Sequence, residues 1–224
     1  MDTRDQHRTL LAEVSARLTG YFGTRDIDFG QSAVETLVLT YLSQNTNDIN
    51  RDKAYAALRA KYANWEAVRD ADPNELIDCI RVAGLANQKG PNIQAGLRAI
   101  SEHAGEINLD FLREMEVEEA RAWLTHLRGV GPKTAAIVLV FSLGMPAFPV
   151  DTHVYRVSGR IGFRPQALDV VKTHSYLESI GDPSQFGPLH LNVIRLGREI
   201  CQARKPKCPV CPVVDLCQYS DKTK

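Results

Sequence analysis

A tight glycine turn followed by a long apolar run marks the middle of the chain, within residues 127–153. The turn, Gly129-Val130-Gly131, has glycine at two positions, where the backbone can adopt angles or approach a partner in ways that a side chain would forbid. Pro132 suits the first position of a helix, because its missing N–H would have no partner there. Residues 135–143 are almost wholly apolar, which is typical of a buried helix. The stretch therefore predicts two helices joined by this turn.

Lys133 and Asp151 are the side chains of this stretch that suit chemistry. Lys133 falls in the first helical turn, where the positive end of the helix dipole disfavours the ammonium form. A partly neutral amine is a usable nucleophile. Asp151 stands 18 residues further on (151 − 133) and opens the next helix. Singly, such a lysine is typical of a solvated surface charge and such an aspartate of an N-cap. Their order after the glycine turn favours a catalytic site.

Helical patterns cover the rest of the chain, and no alternating strand pattern of any length competes with them. The first helix carries an apolar stripe and ends near Gly20, and residues 33–42 read as a central buried helix. Further helices are predicted at residues 49–62, 65–70, 73–82, 91–103, 117–127, 152–161, 168–180 and 185–200. The sequence therefore predicts an all-α fold, with a domain boundary near Asp26.

The composition limits the number of domains, the cellular location and the partners that we expect. Hydrophobic residues make up 44% of the 224 residues, which suits one large or two small globular domains. The start of the chain is charged and no apolar run is long enough to cross a bilayer, so we expect a cytoplasmic protein with no membrane partner. With 27 basic and 27 acidic residues the net charge is zero. Contacts to a nucleic acid would therefore come from local basic clusters.

Four cysteines lie close together at the end of the chain, in the pattern C-x6-C-x2-C-x5-C formed by Cys201, Cys208, Cys211 and Cys217. In a reducing compartment such a group is more typical of metal ligands than of disulfides. Thiolates suit either an iron–sulfur cluster or zinc. Only one closely spaced pair is present, whereas structural zinc sites usually have two, so the spacing favours iron–sulfur. Cys79 is expected to be a small buried hydrophobe.

Two elements of the sequence suit the binding of phosphates. Arg204, Lys205 and Lys207 lie in the first cysteine loop, which a metal would stiffen, so that the loop could present them to a phosphate backbone. The alternative is that this basic run is only a solvated face. The second element is the turn, where the N–H groups of Val130 and Gly131 at a helix N-terminus suit an anion.

The motif Leu-x-Gly-Val-Gly-x-Lys-Thr-Ala, the later Val-Asp-Thr-His and the four cysteines in order closely resemble the endonuclease III family of DNA glycosylases. The resemblance runs from about residue 26 to 219. It implies two all-α domains with a DNA-binding cleft between them: a six-helix domain with the helix-hairpin-helix, residues 27–144, and an iron–sulfur cluster domain, residues 1–26 plus 145–224. The four cysteines would then hold a 4Fe-4S cluster.

The same resemblance implies a bifunctional DNA glycosylase and abasic-site (AP) lyase, acting as a monomer on double-stranded DNA with damaged bases or abasic sites. Lys133 would be the nucleophile and Asp151 its catalytic partner. The substrate implied is an oxidised pyrimidine, and a bacterial protein would be nucleoid-associated. The alternatives are a mismatch or alkylated-base glycosylase, a weakly active damage-binding relative, and a zinc-stapled helical interaction protein.

The resemblance also implies three further contacts to DNA. Asn45 would fill the space that a flipped base leaves and Leu85 would act as an apolar wedge, since base flipping commonly needs an inserted side chain. The alternatives are an N-cap cluster for Asn45 and a core contact for Leu85. His153 would touch the orphaned base or a phosphate, or would instead be a satisfied histidine between helices. The family pattern has proline before the first glycine and a basic residue before the lysine, whereas Arg128 and Pro132 stand here.

Overall fold

A computed structural model describes residues 2–24 and 31–222 of the chain. Over these residues it is built from α-helices and short 3-10 turns without β-strands, which confirms the predicted all-α fold. The α-helices are α1 (Thr3–Phe22), α2 (Ala33–Ser43), α3 (Asp48–Lys61), α4 (Trp65–Asp70), α5 (Pro73–Cys79), α6 (Ala86–Ala104), α7 (Val117–His126), α8 (Pro132–Ser142), α9 (Thr152–Ile161), α10 (Val170–Ile180) and α11 (Phe186–Glu199).

The helices group into two compact units. One unit comprises Met1–Asp28 with Pro146–Lys224, and the other comprises Phe29–Met145. The first unit therefore contains α1 and α9 to α11, and the second contains α2 to α8. The boundary that the sequence predicts near Asp26 lies outside the described residues.

The second unit is organised around α2 and α8, which pack against each other. A capping box starts α2, because Ser32 accepts from the Glu35 N–H while the Glu35 carboxylate accepts from the Ser32 N–H. Most residues of both helices are buried. Between them the Ser142 hydroxyl donates to Thr36 Oγ1 over 2.7 Å, so the polar groups of this contact are satisfied. The predicted hairpin turn leads directly into α8, so this buried helix pair supports it.

In the first unit α11 packs against α9 and α1, and α1 also packs against α10. Buried apolar side chains of α1 and α11 form the contact between these two helices, and Phe148 meets Phe186 edge-on with 5.4 Å between ring centroids. The start of α9 is thereby fixed against α11. No helix among the described residues has both the length and the apolar character that a bilayer crossing requires.

Two helix boundaries differ from the sequence prediction by three residues or more. The helix expected at residues 91–103 begins at Ala86, because the Leu85 carbonyl accepts the N–H groups of Gln88 and Lys89 and so starts the helix early. Pro91 lies inside this helix, where it forgoes one backbone hydrogen bond without ending it. The helix expected at residues 73–82 ends at Cys79 and passes into a 3-10 turn, Arg81–Ala83.

Candidate functional site

The predicted hairpin is present between α7 and α8, and its two glycines have different reasons to be glycine. Gly129 has φ of +80°, and a Cβ there would overlap the carboxamide nitrogen of Asn92. Gly131 has φ of −101°, which any residue adopts, and a Cβ there would have no heavy atom of the described residues within 4 Å. The fold therefore requires glycine at position 129, whereas at position 131 it leaves open space.

The anion cradle expected at the hairpin needs one correction. The Val130 N–H donates to the Leu127 carbonyl over 3.0 Å, and Val130 is only 7% exposed. This N–H closes the turn, so the expectation that it faces an anion is wrong. Gly131 precedes α8 as its N-cap residue, and no side chain of the described residues caps the helix. The first-turn N–H groups of α8 consequently have no partner within the helix.

Side chains from α2 and from the residue that follows it hold the hairpin. The hydroxyl of Tyr41 donates to the Arg128 carbonyl over 2.9 Å, and the carboxamide nitrogen of Gln44 donates to the Gly129 carbonyl over 3.0 Å. Tyr41 is fully buried, which raises the pKa of its phenol far above the ordinary value. The phenol is therefore a permanent donor. No local sequence pattern marks either residue, since their partners lie 87 and 85 residues away along the chain.

Lys133 lies in the first turn of α8, as predicted, and is half-buried. Its ammonium group makes no ion pair or hydrogen bond with the described residues. Many other cations of the chain are paired, including Arg17 with Asp215 at 2.7 Å. A lysine that is half-buried and unpaired is available to a partner from outside the protein.

Asp151 is the N-cap of α9 and is also half-buried. Its Oδ1 accepts the Val154 N–H over 2.7 Å. Its Oδ2 accepts no hydrogen bond from the described residues. Asp151 is therefore an N-cap, as the alternative interpretation expects. The cap uses only one carboxylate oxygen, and the other oxygen remains available to a ligand.

The backbone that leads into Asp151 is held by two buried histidines. His174 on α10 places Nδ1 2.9 Å from the Phe148 carbonyl. His190 on α11 places Nδ1 2.8 Å from the Pro149 carbonyl. Each contact is a hydrogen bond when the proton is on Nδ1. These bonds fix the backbone that precedes Asp151.

His153 packs between helices rather than standing free. A Cβ on Gly197 of α11 would lie 2.9 Å from the His153 ring, so the ring rests against that glycine. The Arg156 guanidinium donates to His153 Nδ1 over 3.0 Å, so the imidazole accepts there. Burial lowers the pKa of His153, and this effect outweighs the neighbouring Asp151 carboxylate, which raises it. This geometry favours the interhelical alternative, and a contact from His153 to DNA stays a prediction.

Asn45, Leu85 and Lys205 share an unusual backbone conformation. They are the non-glycine residues with positive φ among residues 2–24 and 31–222, at 50°, 50° and 51°. Such angles are strained for side chains with a Cβ, and they concentrate at binding sites. All three are among the residues predicted from the sequence to contact DNA.

The structure does not support the alternative of an N-cap cluster for Asn45 or that of a core contact for Leu85. Asn47, not Asn45, caps α3 by accepting the Asn50 N–H, while the exposed Asn45 side chain makes no hydrogen bond with the described residues. Leu85 is 45% exposed and therefore does not sit in the core. Both side chains are available to a partner.

The four cysteines at the end of the chain line one cavity. Burial raises the pKa of Cys211 and of Cys217, and the neighbouring Cys201 and Cys208 raise both further. Four clustered thiols are the donor set that an iron–sulfur group takes. The residues present therefore fit such a group. Within the described residues, no three His, Cys, Asp or Glu side chains converge on a position for a single metal ion.

Arg160 of α9 holds the first cysteine loop. Its guanidinium donates to the carbonyls of Gln202 and Ala203 at 2.7 and 2.9 Å, and it lies 3.5 Å from Cys201 Sγ. On the other side it stacks over the Tyr219 ring at 4.4 Å. The loop is thus fixed by protein contacts.

The basic side chains of this loop take no part in these anchoring contacts. Arg204, Lys205 and Lys207 are exposed and make no ion pair or hydrogen bond through their side chains with the described residues. Pro206 between them is buried. Three unpaired cations on a held loop form a local positive patch in a protein of zero net charge.

Cys79, which the sequence predicts to be a small buried hydrophobe, is only half-buried at the end of α5. Burial raises the pKa of its thiol.

Comparisons with known proteins place the chain in a family. The family model of HhH-GPD superfamily base excision DNA repair proteins matches residues 38–182, and that of the iron-sulfur binding domain of endonuclease III matches residues 201–217. An endonuclease III of Sulfolobus acidocaldarius is 33% identical over 186 residues, which cover 82% of this chain and 81% of that protein. A protein of Arabidopsis thaliana described as a candidate DNA glycosylase is 38% identical over 157 residues, which cover 70% of this chain and 54% of that protein.

The solved structures agree. A non-covalent endonuclease III–DNA complex is similar to the chain with a TM-score of 0.78 and 32% identity, covering 97% of this chain and 96% of that one. The resemblance stated from the sequence is therefore confirmed, and so is an iron–sulfur binding segment at residues 201–217. The chain belongs to the HhH-GPD superfamily, as an endonuclease III-like enzyme of base excision DNA repair.

Proposed function

We propose that the protein is a DNA glycosylase with AP lyase activity, which removes oxidised pyrimidines from double-stranded DNA and nicks the strand by β-elimination. The observation that carries this proposal is Lys133, a half-buried lysine in the first turn of α8, directly after the glycine hairpin, which has no partner among the described residues. A structural or electrostatic lysine would be paired or fully solvated. A nucleophilic lysine has to reach its substrate and shed its proton.

In the proposed reaction Lys133 Nζ attacks C1′ of the damaged nucleotide, and the bond from C1′ to the base breaks. The base leaves with the bonding electron pair and takes up a proton. The nitrogen loses its protons as the sugar ring opens, giving an imine between Lys133 and C1′. The imine acidifies the C2′ proton, and loss of that proton expels the 3′ phosphate. Hydrolysis of the imine then frees the lysine.

Asp151 has two roles in this proposal. Its Oδ1 caps α9, which fixes the carboxylate. Its other oxygen stabilises positive charge on the sugar as the base leaves and assists deprotonation of Lys133. Removal of the negative charge with retention of the shape, as in Asp151→Asn, is expected to slow base excision while leaving DNA affinity nearly unchanged.

The DNA contacts follow from the same residues. The first-turn N–H groups of α8 suit phosphate oxygens, and so do Arg204, Lys205 and Lys207, whose side chains have no partner in the part of the chain that the structure describes. Asn45 and Leu85 suit the space left by a flipped nucleotide, since both are exposed and both have a backbone with positive φ. We take the unit bounded as Phe29–Met145 to be the hairpin domain and the other unit to be the cluster domain, in a protein that acts as a monomer.

The four cysteines would hold a 4Fe-4S cluster, which supplies a stiff attachment for the basic loop. Arg160 would hold the same loop from the protein side. The cluster has no part in the bond-breaking steps of this proposal.

Borohydride trapping on abasic-site DNA tests the central step, because borohydride reduces an imine to a stable amine. The wild-type protein should become covalently joined to the DNA, and Lys133→Gln should not. Lys53→Gln, at an exposed lysine of α3, is the matched control and should trap as the wild type does. Trapping of Lys133→Gln at the wild-type yield would remove Lys133 from this role. Release of damaged base without any trapping by the wild type would favour the alternative of a glycosylase without lyase activity.

A further inference from the structure

Lys89 is a buried cation whose ammonium group is satisfied only by backbone. It lies on α6 and is 1% exposed. Its Nζ donates to the Leu42 carbonyl over 2.8 Å and to the Ala83 carbonyl over 2.7 Å. No carboxylate of the described residues forms an ion pair with it, and burial lowers its pKa.

A buried charge without a counter-ion is a costly way to stabilise a fold. Gln94 on the same helix shows that a neutral side chain can also satisfy buried carbonyl groups, without the cost of burying a charge. Its neutral carboxamide nitrogen is also buried and donates to three carbonyls around the end of α4, the shortest of them that of Ala71 at 2.8 Å. Hydrogen bonding to two carbonyls therefore does not by itself explain why a lysine occupies position 89.

The two carbonyls that Lys89 binds belong to residues at the start of the two loops that carry Asn45 and Leu85. Leu42 lies three residues before Asn45, near the end of α2, and Ala83 lies two residues before Leu85. In addition, the backbone N–H of Lys89 donates to the Leu85 carbonyl over 3.0 Å. One side chain thus ties together the two segments whose tips have positive φ.

We propose that Lys89 is a positioning residue, which fixes the Asn45 loop and the Leu85 loop relative to each other so that both side chains enter DNA at one flipped nucleotide. This inference rests on the proposed function, since it assumes that both residues insert. Preorganisation of two loops lowers the entropic cost of binding, because the loops are ordered before the DNA arrives. Lys89 itself does not touch the DNA in this proposal.

The test compares Lys89→Met with Gln94→Met, a matched control that removes an equally buried donor from the same helix. The probe is a duplex with a tetrahydrofuran abasic analogue opposite 2-aminopurine, whose fluorescence reports stacking of the orphaned base. Both variants should unfold at lower urea concentration than the wild type. Only Lys89→Met should bind the duplex about tenfold more weakly and lose the fluorescence change on binding. Lys89→Gln, which keeps two N–H donors on a shorter side chain, should fall between Lys89→Met and the wild type.

A double-mutant cycle with Leu85→Ala separates positioning from general stability. In the wild-type and Gln94→Met backgrounds Leu85→Ala should weaken binding by the same factor. In the Lys89→Met or Lys89→Gln background it should weaken binding by a smaller factor, because the wedge is already misplaced. Equal factors in all backgrounds, or a Lys89→Met protein that binds as Gln94→Met does, would overturn the inference. Absence of any preference of the wild type for the abasic duplex over an undamaged one would instead overturn the proposed function.

Discussion

The carboxamide nitrogen of Gln44 donates to the carbonyl of Gly129 over 3.0 Å, across a separation of 85 residues. Gln44 directly precedes Asn45, and Gly129 is the first glycine of the hairpin. The proposed inserting loop and the proposed phosphate-binding hairpin are therefore joined by one hydrogen bond. Movement of either segment must be transmitted to the other or must break this bond.

Tyr41 reinforces the same junction, and its removal should cost stability. Tyr41→Phe deletes the donor to the Arg128 carbonyl and leaves that acceptor without its partner, so we expect a loss of about 1–2 kcal/mol in the free energy of unfolding. Urea unfolding measures the loss. Tyr21→Phe is the control, because Tyr21 is 54% exposed and its hydroxyl makes no hydrogen bond with the described residues. Equal stability of Tyr41→Phe and Tyr21→Phe would show that the Tyr41 hydroxyl does not hold the hairpin.

The two hairpin glycines should respond differently to alanine. Gly129→Ala places a side chain at φ of +80° and against Asn92, so we expect a loss of stability above about 1 kcal/mol. Gly131→Ala meets no atom of the described residues and should cost less than about 1 kcal/mol, the size of an N-cap effect. Its Cβ would instead obstruct a phosphate that approaches the N-terminus of α8.

Stability and DNA affinity of the two glycine variants, measured side by side, check this contrast. Gly131→Ala should bind DNA more weakly while unfolding nearly as the wild type does. Unchanged affinity of Gly131→Ala would mean that no ligand comes close to this turn.

The basic loop should make DNA binding sensitive to salt. If Arg204, Lys205 and Lys207 each neutralise a phosphate, replacement of one by glutamine should reduce the slope of log K against log salt concentration by about 0.9. Binding titrations at several salt concentrations give the slope. Lys172→Gln, at an exposed lysine of α10 in the same unit, should leave it unchanged. A loop that is only a solvated face would give the same slope for all of these variants.

Loss of a cluster cysteine should remove iron, whereas loss of Cys79 should not. Cys211→Ser takes away one of the four thiols that line the cavity, so we expect iron content and visible absorbance to fall and the first unit to unfold at lower temperature. Cys79→Ser, at the half-buried thiol of α5 in the other unit, is the control for loss of a cysteine in general. A purified wild type that holds about four irons and four sulfides per chain would support the 4Fe-4S form. A protein that holds zinc in their place would contradict it.

The sequence was sufficient for the hairpin and for the all-α fold because both are local. Glycine, proline and helical periodicity act within a few residues, and Gly129, Pro132 and the apolar run after them fold as the pattern predicts. Pro91 misled the prediction of α6, since a proline is usually a boundary but can be accommodated inside a helix. The expected role of the Val130 N–H failed for a related reason: hydrogen bonding inside the turn takes priority over an outside ligand.

Long-range contacts were not predictable from one sequence. Lys89 is one of many lysines and arginines, and nothing near it in the chain distinguishes the one that is buried against Leu42 and Ala83. The same holds for Tyr41 and Gln44, whose partners lie in a distant hairpin. The positive φ of Leu85 was likewise not foreseeable, because a branched apolar residue rarely adopts it.

His153 should make the folded protein sensitive to mild acid. Its pKa is lowered in the fold, mainly by burial, so between that pKa and the ordinary value of 6.5 the unfolded chain binds more protons than the folded one. The stability contributed by neutral His153 is therefore fully present above pH 6.5 and is lost as the pH falls below it. His153→Gln should lose less stability than the wild type between pH 7 and about pH 5, as urea unfolding at both pH values would show. His126→Gln, at an exposed histidine of α7, should follow the wild type. Parallel loss in the wild type and His153→Gln would mean that the ring is not held neutral against Gly197.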